Sequence, residues 1–172
     1  MSEPPAIAYA DSGCMVLTWR SIVFPVMGRP VATVEGTRAQ AKAIERFGAS
    51  LGPKRMLEIS LLDDEFPLPS AEVRAALEES SPVVSGYYAA VASVFEGMGF
   101  RAAFLRGVLS TLQLVSRAEF PQKVFSRPDE AASWIAPHAT ALGMPLRGPE
   151  ELAATVRSVR NTALERGVFG PP

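Results

Sequence analysis

The stretch YYAAVASVF at residues 87–95 decides the fold class of this chain. Aromatic and β-branched residues that are interrupted only by small ones are typical of a strand buried on both faces. Residues 96–99 (EGMG) then turn the chain into a segment with helical periodicity at 100–117, and KVFS at 123–126 predicts a further short strand. A strand, a helix and a strand in this order predict a βαβ unit, and therefore two parallel strands.

Composition and charge restrict the class of protein. The chain has 172 residues, of which 48% are hydrophobic, enough for one domain with a full core. Its 17 basic and 18 acidic residues balance, which argues against nucleic acid or an anionic membrane as a partner. A single cysteine, Cys14, fits a reducing compartment. The start MSEPP is unlike a signal peptide, and no window is apolar enough to cross a membrane. We therefore expect a soluble, cytoplasmic protein without nucleic-acid partners or membrane insertion.

The rest of the chain alternates strand and helix patterns. Residues 1–12 are expected to form a flexible leader, and 14–19 and 22–27 are strand-like, with Pro25 limiting the second strand to an edge or a bulge. The patterns beyond them predict a helix at 37–51, a strand at 56–62, a helix at 70–80, a helix at 129–142, a linker at 143–148 and a last helix at 149–166.

This order predicts an α/β domain over residues 13–142. We expect a mixed, mainly parallel sheet of four to five strands with helices packed mainly on one face. The C-terminal helix at 149–166 is expected to pack on this domain or on a partner.

The order and spacing of these elements over 14–142, together with the run at 87–125, resemble a STAS-type domain, the SpoIIAA-like fold of bacterial anti-sigma-factor antagonists. The resemblance implies a non-enzymatic signalling module that docks on partner proteins and is gated in some members by phosphorylation. The phosphorylated residue of the antagonists lies in the loop before the second helix, where Ser70 stands here. The loop lacks the family's glycine and paired hydroxyls, and Ser70 also suits an ordinary helix N-cap.

The loop DDEFPLP at 63–69 is the first candidate contact surface. Its two prolines hold Phe66 and Leu68 in extended geometry, and an apolar pair on an acidic loop suits a basic partner. The helix at 100–117 carries leucines beyond its core-facing stripe, which either a neighbouring helix covers or which form a docking patch. For an unidentified protein partner or a second copy of the chain, we expect an interaction surface of Asp63, Asp64, Glu65, Phe66, Leu68, Ser70, Leu105 and Leu109.

A second candidate function is the binding of a small anionic or apolar molecule. Gly97, Gly99 and Arg101 stand where a strand passes into a helix, which suits either an anion site or a tight turn with positive φ. Cys14 and the only histidine, His138, do not stand at metal-ligand spacing, and no nucleophile elbow is present. We therefore predict no catalytic residues, no metal and no cofactor.

Overall fold

The computed structural model describes residues 3–29, 32–96, 103, 106–107 and 118–170. The strands of these ranges are β1 (Ala6–Ala10), β2 (Cys14–Trp19), β3 (Ile22–Met27), β4 (Met56–Leu62), β5 (Tyr88–Phe95) and β6 (Gln122–Phe125). The helices are α1 (Val34–Leu51), α2 (Ala71–Ser85), α3 (Pro128–Ala141) and α4 (Pro149–Glu165). None of the helices in these ranges combines the length and the apolar composition that a bilayer span requires.

The six strands form one sheet in the order in which they follow along the chain. The pairs β1–β2 and β2–β3 are antiparallel, and the pairs β3–β4, β4–β5 and β5–β6 are parallel. The α/β class, the mixed sheet and the parallel pairing of β5 with β6 are confirmed. The expected mainly parallel sheet of four to five strands is wrong, because β1, β2 and β3 form an antiparallel meander at one edge of the sheet. The short turns that join these three strands allow only antiparallel pairing.

The first strand lies where the sequence predicts a flexible leader. Residues 6–10 pair with β2, from Ala6 opposite Thr18 to Ala10 opposite Met15. Most of β1 is exposed, so its side chains bury little surface, and main-chain hydrogen bonds hold it at the edge of the sheet.

Pro25 lies in an interior strand whose pairing register does not shift on either side, so the predicted edge or bulge position is wrong. It stands opposite Val16 of β2, while on the other side of β3 the pairing passes from Val23–Glu58 directly to Val26–Leu61. Because proline has no N–H to donate, this interruption of the parallel ladder lets it occupy the middle of the sheet.

Helices cover both faces of the sheet, so the predicted packing mainly on one face is wrong. Leu57, Ile59 and Leu61 of β4 belong to the core under α3 and α4, whereas Met56 belongs to a second core with Ile44 of α1. The reason is that β4 is buried along its whole length, and a strand buried on both faces needs a cover on each. The C-terminal helix, α4, packs on this domain through Leu152, Val156, Val159 and Ala163.

The segment after α4 packs against the sheet near the end of β4. Val168 and Phe169 are buried in the core under α3 and α4. The backbone N–H of Gly170 donates to the Asp63 carboxylate at 3.0 Å, and a Cβ on Gly28 would lie 1.8 Å from the Val168 carbonyl oxygen. This close approach is possible only because residue 28 is glycine.

Candidate functional site

Asp63, the first residue of the predicted interaction surface, is buried and anchors other segments. Its carboxylate accepts hydrogen bonds from Arg29 Nε at 3.0 Å, from the Glu65 amide at 2.9 Å and from the Gly170 amide at 3.0 Å. Burial by itself would raise the pKa of Asp63, but these donors outweigh it and the pKa is lowered. Asp63 therefore joins β4 to the C-terminal segment.

The rest of the acidic loop is more accessible. Asp64 and Glu65 are exposed, and each carboxylate lies 3.3 Å from the guanidinium of Arg29. Phe66 is half-buried against the side chains of β4 and β5, whereas Leu68 is 71% exposed.

The exposed Ser70 caps α2, because its Oγ accepts a hydrogen bond from the Val73 amide at 3.3 Å. Leu105, Leu109 and the anion-site residues Gly97, Gly99 and Arg101 lie outside the described residues. The interaction surface, the phosphosite at Ser70 and the anion site stay predictions.

A different site stands out on the sheet face under α1 and α2, where a pocket of about 280 Å³ opens. Polar side chains are concentrated there: of the six buried polar or charged residues in the described ranges, four line this pocket. These four residues are Thr37, Gln40, Glu58 and Ser60, and Tyr88 joins them. The remaining wall consists of Pro25, Met27, Ala41, Ile44, Leu77, Ser80, Ser81 and Val84.

The floor of the pocket follows from strand geometry. Glu58 and Ser60 stand two residues apart on β4 and so point to the same face. Tyr88 joins them because the pairing of β4 with β5 steps from Met56–Tyr88 to Leu57–Ala90 and leaves Ala89 unmatched. Without this irregularity Tyr88 would share the opposite face with Ala90. Bulges re-aim side chains in this way beside functional sites.

The roof of the pocket comes from the inner faces of α1 and α2. Thr37, Gln40, Ala41 and Ile44 recur at the spacing of one helical face, so Gln40 stands in an otherwise core-forming stripe of α1. On α2, residues 77–84 contribute at the same periodicity.

Glu58, Ser60 and Tyr88 form a hydrogen-bonded triad. The hydroxyls of Ser60 and Tyr88 donate to different oxygens of the Glu58 carboxyl group. Glu58 forms no ion pair within the part of the chain that the structure describes. Burial raises the pKa of Glu58 in spite of the two hydrogen bonds, and burial followed by the charge of Glu58 raises the pKa of Tyr88 well above 10.0. Burial therefore shifts Glu58 toward its uncharged form relative to a glutamic acid in water.

Gln40 has an unsatisfied hydrogen-bond donor. Its side chain is only 7% exposed, yet its Nε2 has no hydrogen-bond partner among the described residues. An unpaired buried donor costs roughly 1–3 kcal/mol, so such groups are rare without a function.

Other reactive groups of the described residues do not form a comparable site. Burial, and next the neighbouring Asp11, raise the pKa of Cys14 to about 12, which disfavours the nucleophilic thiolate. His138 packs edge-on against Trp134, with ring centroids 4.8 Å apart. Within the described ranges, no group of three or more His, Cys, Asp or Glu side chains is arranged to hold a metal ion.

The sequence analysis missed Glu58, Ser60, Tyr88 and Gln40 as site residues. One signal was available: Glu58 is the only charged residue in the strand MLEISLL at 56–62, where every neighbour is apolar or small. Charged side chains are almost never buried unless they are paired or functional. The contributions of Gln40 and Tyr88 depend on helix packing and on the bulge, for which the sequence offers no comparable signal.

Comparisons with known proteins do not identify the chain. No protein-family model matches it, and no curated protein does. A crystal structure of an enoyl-CoA hydratase/carnithine racemase from Magnetospirillum magneticum is similar over 90% of this chain and 82% of its own. The sequence identity is 10% and the TM-score 0.34, too low to carry an argument about fold or function.

Proposed function

We propose that this protein binds a small organic molecule in the pocket between α1, α2 and the sheet. The observation that carries the proposal is the buried Nε2 of Gln40, which lies in the same pocket as the buried acid Glu58. Among the described residues, Nε2 has no hydrogen-bond partner and Glu58 has no counter-charge. A purely structural polar network is expected to satisfy all its members, because a partly satisfied network is less stable than an apolar core. A bound molecule would supply the missing partner.

The size and lining of the pocket suit a small ligand. Its volume of about 280 Å³ lies near the lower end of the range for small-molecule sites, roughly 300–1,000 Å³. Apolar side chains such as Ile44 and Val84 alternate with a few hydrogen-bonding groups, as in most such sites.

Occupancy can be tested with four probes of similar size that differ in charge and polarity: benzamide, benzoate, benzylamine and toluene. We expect at least one of them, at millimolar concentration, to shift the amide resonances of Gln40, Glu58 and Tyr88 in two-dimensional NMR spectra. Ala41→Phe fills the pocket from α1 and should abolish these shifts. The exposed Ala49, on the same helix outside the pocket, provides the control Ala49→Phe, which should keep them.

Two results would contradict the proposal: no shift with any of the four probes, or undiminished binding by a folded Ala41→Phe variant. Should Ala41→Phe fail to fold, Ser81→Phe closes the pocket from an exposed position on α2.

Exposed apolar side chains favour docking on a protein as a second candidate function. Leu68 is 71% exposed, and Leu77 and Val83 of α2 are 43% and 50% exposed. Leu68 belongs to the predicted surface at 63–70, and Leu77 and Val83 lie on the helix that follows it. Exposed apolar side chains of this kind suit a second copy of the chain, in keeping with the resemblance to STAS-type modules. The STAS-type assignment, the absence of enzymatic activity and the cytoplasmic location stay predictions.

If Leu68 mediates self-association, Leu68→Asp should weaken the dimer at least about tenfold, because it places a charge in an apolar contact. The melting temperature should not change, since Leu68 lies outside the core. Sedimentation velocity over a range of protein concentrations measures the fractions of dimer and monomer, and so the dissociation constant of the dimer. Ile7→Asp, at an exposed apolar position on β1, serves as the control. A wild-type protein that stays monomeric throughout would exclude self-association.

A further inference from the structure

We infer that the pocket is selective for an uncharged molecule that offers hydrogen-bond acceptors, such as the carbonyl oxygen of an amide, to Gln40 and to the Glu58 triad. This inference rests on the proposed function and adds the chemical class of the ligand. This ligand differs in chemical class and in location from the anionic or apolar molecule that the sequence suggests near Gly97 and Arg101.

The charges around the pocket argue against an anion. None of the described residues that line it is a lysine, an arginine or a histidine. Arg38 and Lys42 line a neighbouring groove between α1 and α2, where Arg38 forms an ion pair with Glu79 at 3.0 Å. A carboxylate or phosphate in the pocket would therefore be buried beside Glu58 without a counter-charge, which is costly.

When Glu58 is uncharged, the protons of the triad leave one donor to spare. In its uncharged form Glu58 carries one O–H, and Ser60 and Tyr88 carry one each. Two contacts join the three groups, from Ser60 to one carboxyl oxygen and from Tyr88 to the other. Each contact holds one proton, so the third must be donated outside the triad. The described residues provide no further hydrogen bond to these side chains.

Gln40 adds a second unsatisfied donor in the same pocket. Its Nε2 carries two N–H groups and has no acceptor within the described ranges. The pocket therefore contains unsatisfied donors, and a ligand that contributes oxygen acceptors completes their hydrogen bonds. The apolar side chains of Ile44, Leu77 and Val84 can cover the hydrocarbon part of such a molecule.

The same four probes test this selectivity at neutral pH. We expect benzamide to bind at least about tenfold more tightly than benzoate, benzylamine or toluene, since each of these leaves a donor unpaired or buries an uncompensated charge. The side-chain amide resonances of Gln40 should shift with benzamide. Gln40→Leu should weaken benzamide binding about tenfold and leave toluene binding unchanged. Gln122→Leu on β6 lies outside the pocket and should have no effect.

Each outcome separates the inference from the proposed function. The inference would be overturned if benzoate, benzylamine or toluene bound as tightly as benzamide, but such binding would still support a small-molecule site. Tight binding of benzylamine would indicate that the ligand is a cation and that Glu58 is ionised beside it. Undiminished benzamide binding by a folded Gln40→Leu variant, or Gln40 resonances that do not move, would also overturn it. No binding by any probe would overturn the proposed function itself.

Discussion

Phe169→Ala is expected to lower the free energy of unfolding by about 3–5 kcal/mol, the usual loss when a buried phenylalanine is truncated. Phe169 belongs to the core under α3 and α4 and, with Val168, holds the C-terminal segment against the sheet. Its removal leaves a cavity and loosens the neighbouring Gly170, whose amide donates to Asp63. Urea unfolding followed by circular dichroism measures the change.

The control is Val83→Ala, which truncates an apolar side chain that is half-exposed on α2. Surface changes of this kind stay within about 0.5 kcal/mol. Hydrogen exchange adds a local readout, because loss of the C-terminal anchor should speed exchange in the loop at 63–68. If Phe169→Ala unfolds at the urea concentration of the wild type, the C-terminal segment is not part of the core.

Glu58→Gln is expected to remove a pH dependence of stability that the wild type shows above pH 4.5. The pKa of Glu58 is raised above its ordinary value of 4.5 in the folded protein, mainly by burial. The folded state therefore holds a proton that the unfolded chain releases. The stabilisation is complete below pH 4.5 and is lost as the pH rises through the folded pKa, at up to about 1.4 kcal/mol per pH unit. Glutamine keeps the uncharged shape and does not titrate.

Urea unfolding at several pH values between 5 and 8, a window of about three units, measures this slope. Asp11 and Asp63 do not interfere, because their lowered pKa values affect stability only below about their ordinary value of 3.8. Glu78→Gln, at an exposed position on α2, should keep the wild-type slope. Equal slopes for wild type and Glu58→Gln would show that Glu58 is ionised in the folded protein.

Strands with strong apolar patterns were predictable because local composition alone identifies them. The run at 87–95 and the segment 56–62 became β5 and β4, and the parallel pairing of β5 with β6 followed from the βαβ pattern. β1 was missed because an exposed edge strand is held by main-chain hydrogen bonds that leave no side-chain signature.

The ends of the helices, and the face of the sheet that each helix covers, depend more on tertiary packing than the strands do. Local rules end the second helix before Pro82, yet α2 continues to Ser85, and Val84 packs against the core under α1. The face that each helix covers could not be predicted either, because β4 and most of β5 are buried and their sequence pattern does not say which helix covers which face.

The sequence by itself determined the α/β class, the strands that are buried on both faces and the helices that can cover them, because these depend on the local spacing of apolar residues. Only the tertiary structure decided the candidate site. Glu58 and Ser60 lie together through strand alternation, but Tyr88 reaches them through the bulge at Ala89, and Gln40 reaches the pocket through the packing of α1 on the sheet. Such contacts join residues that are distant along the chain, and local sequence patterns do not encode them.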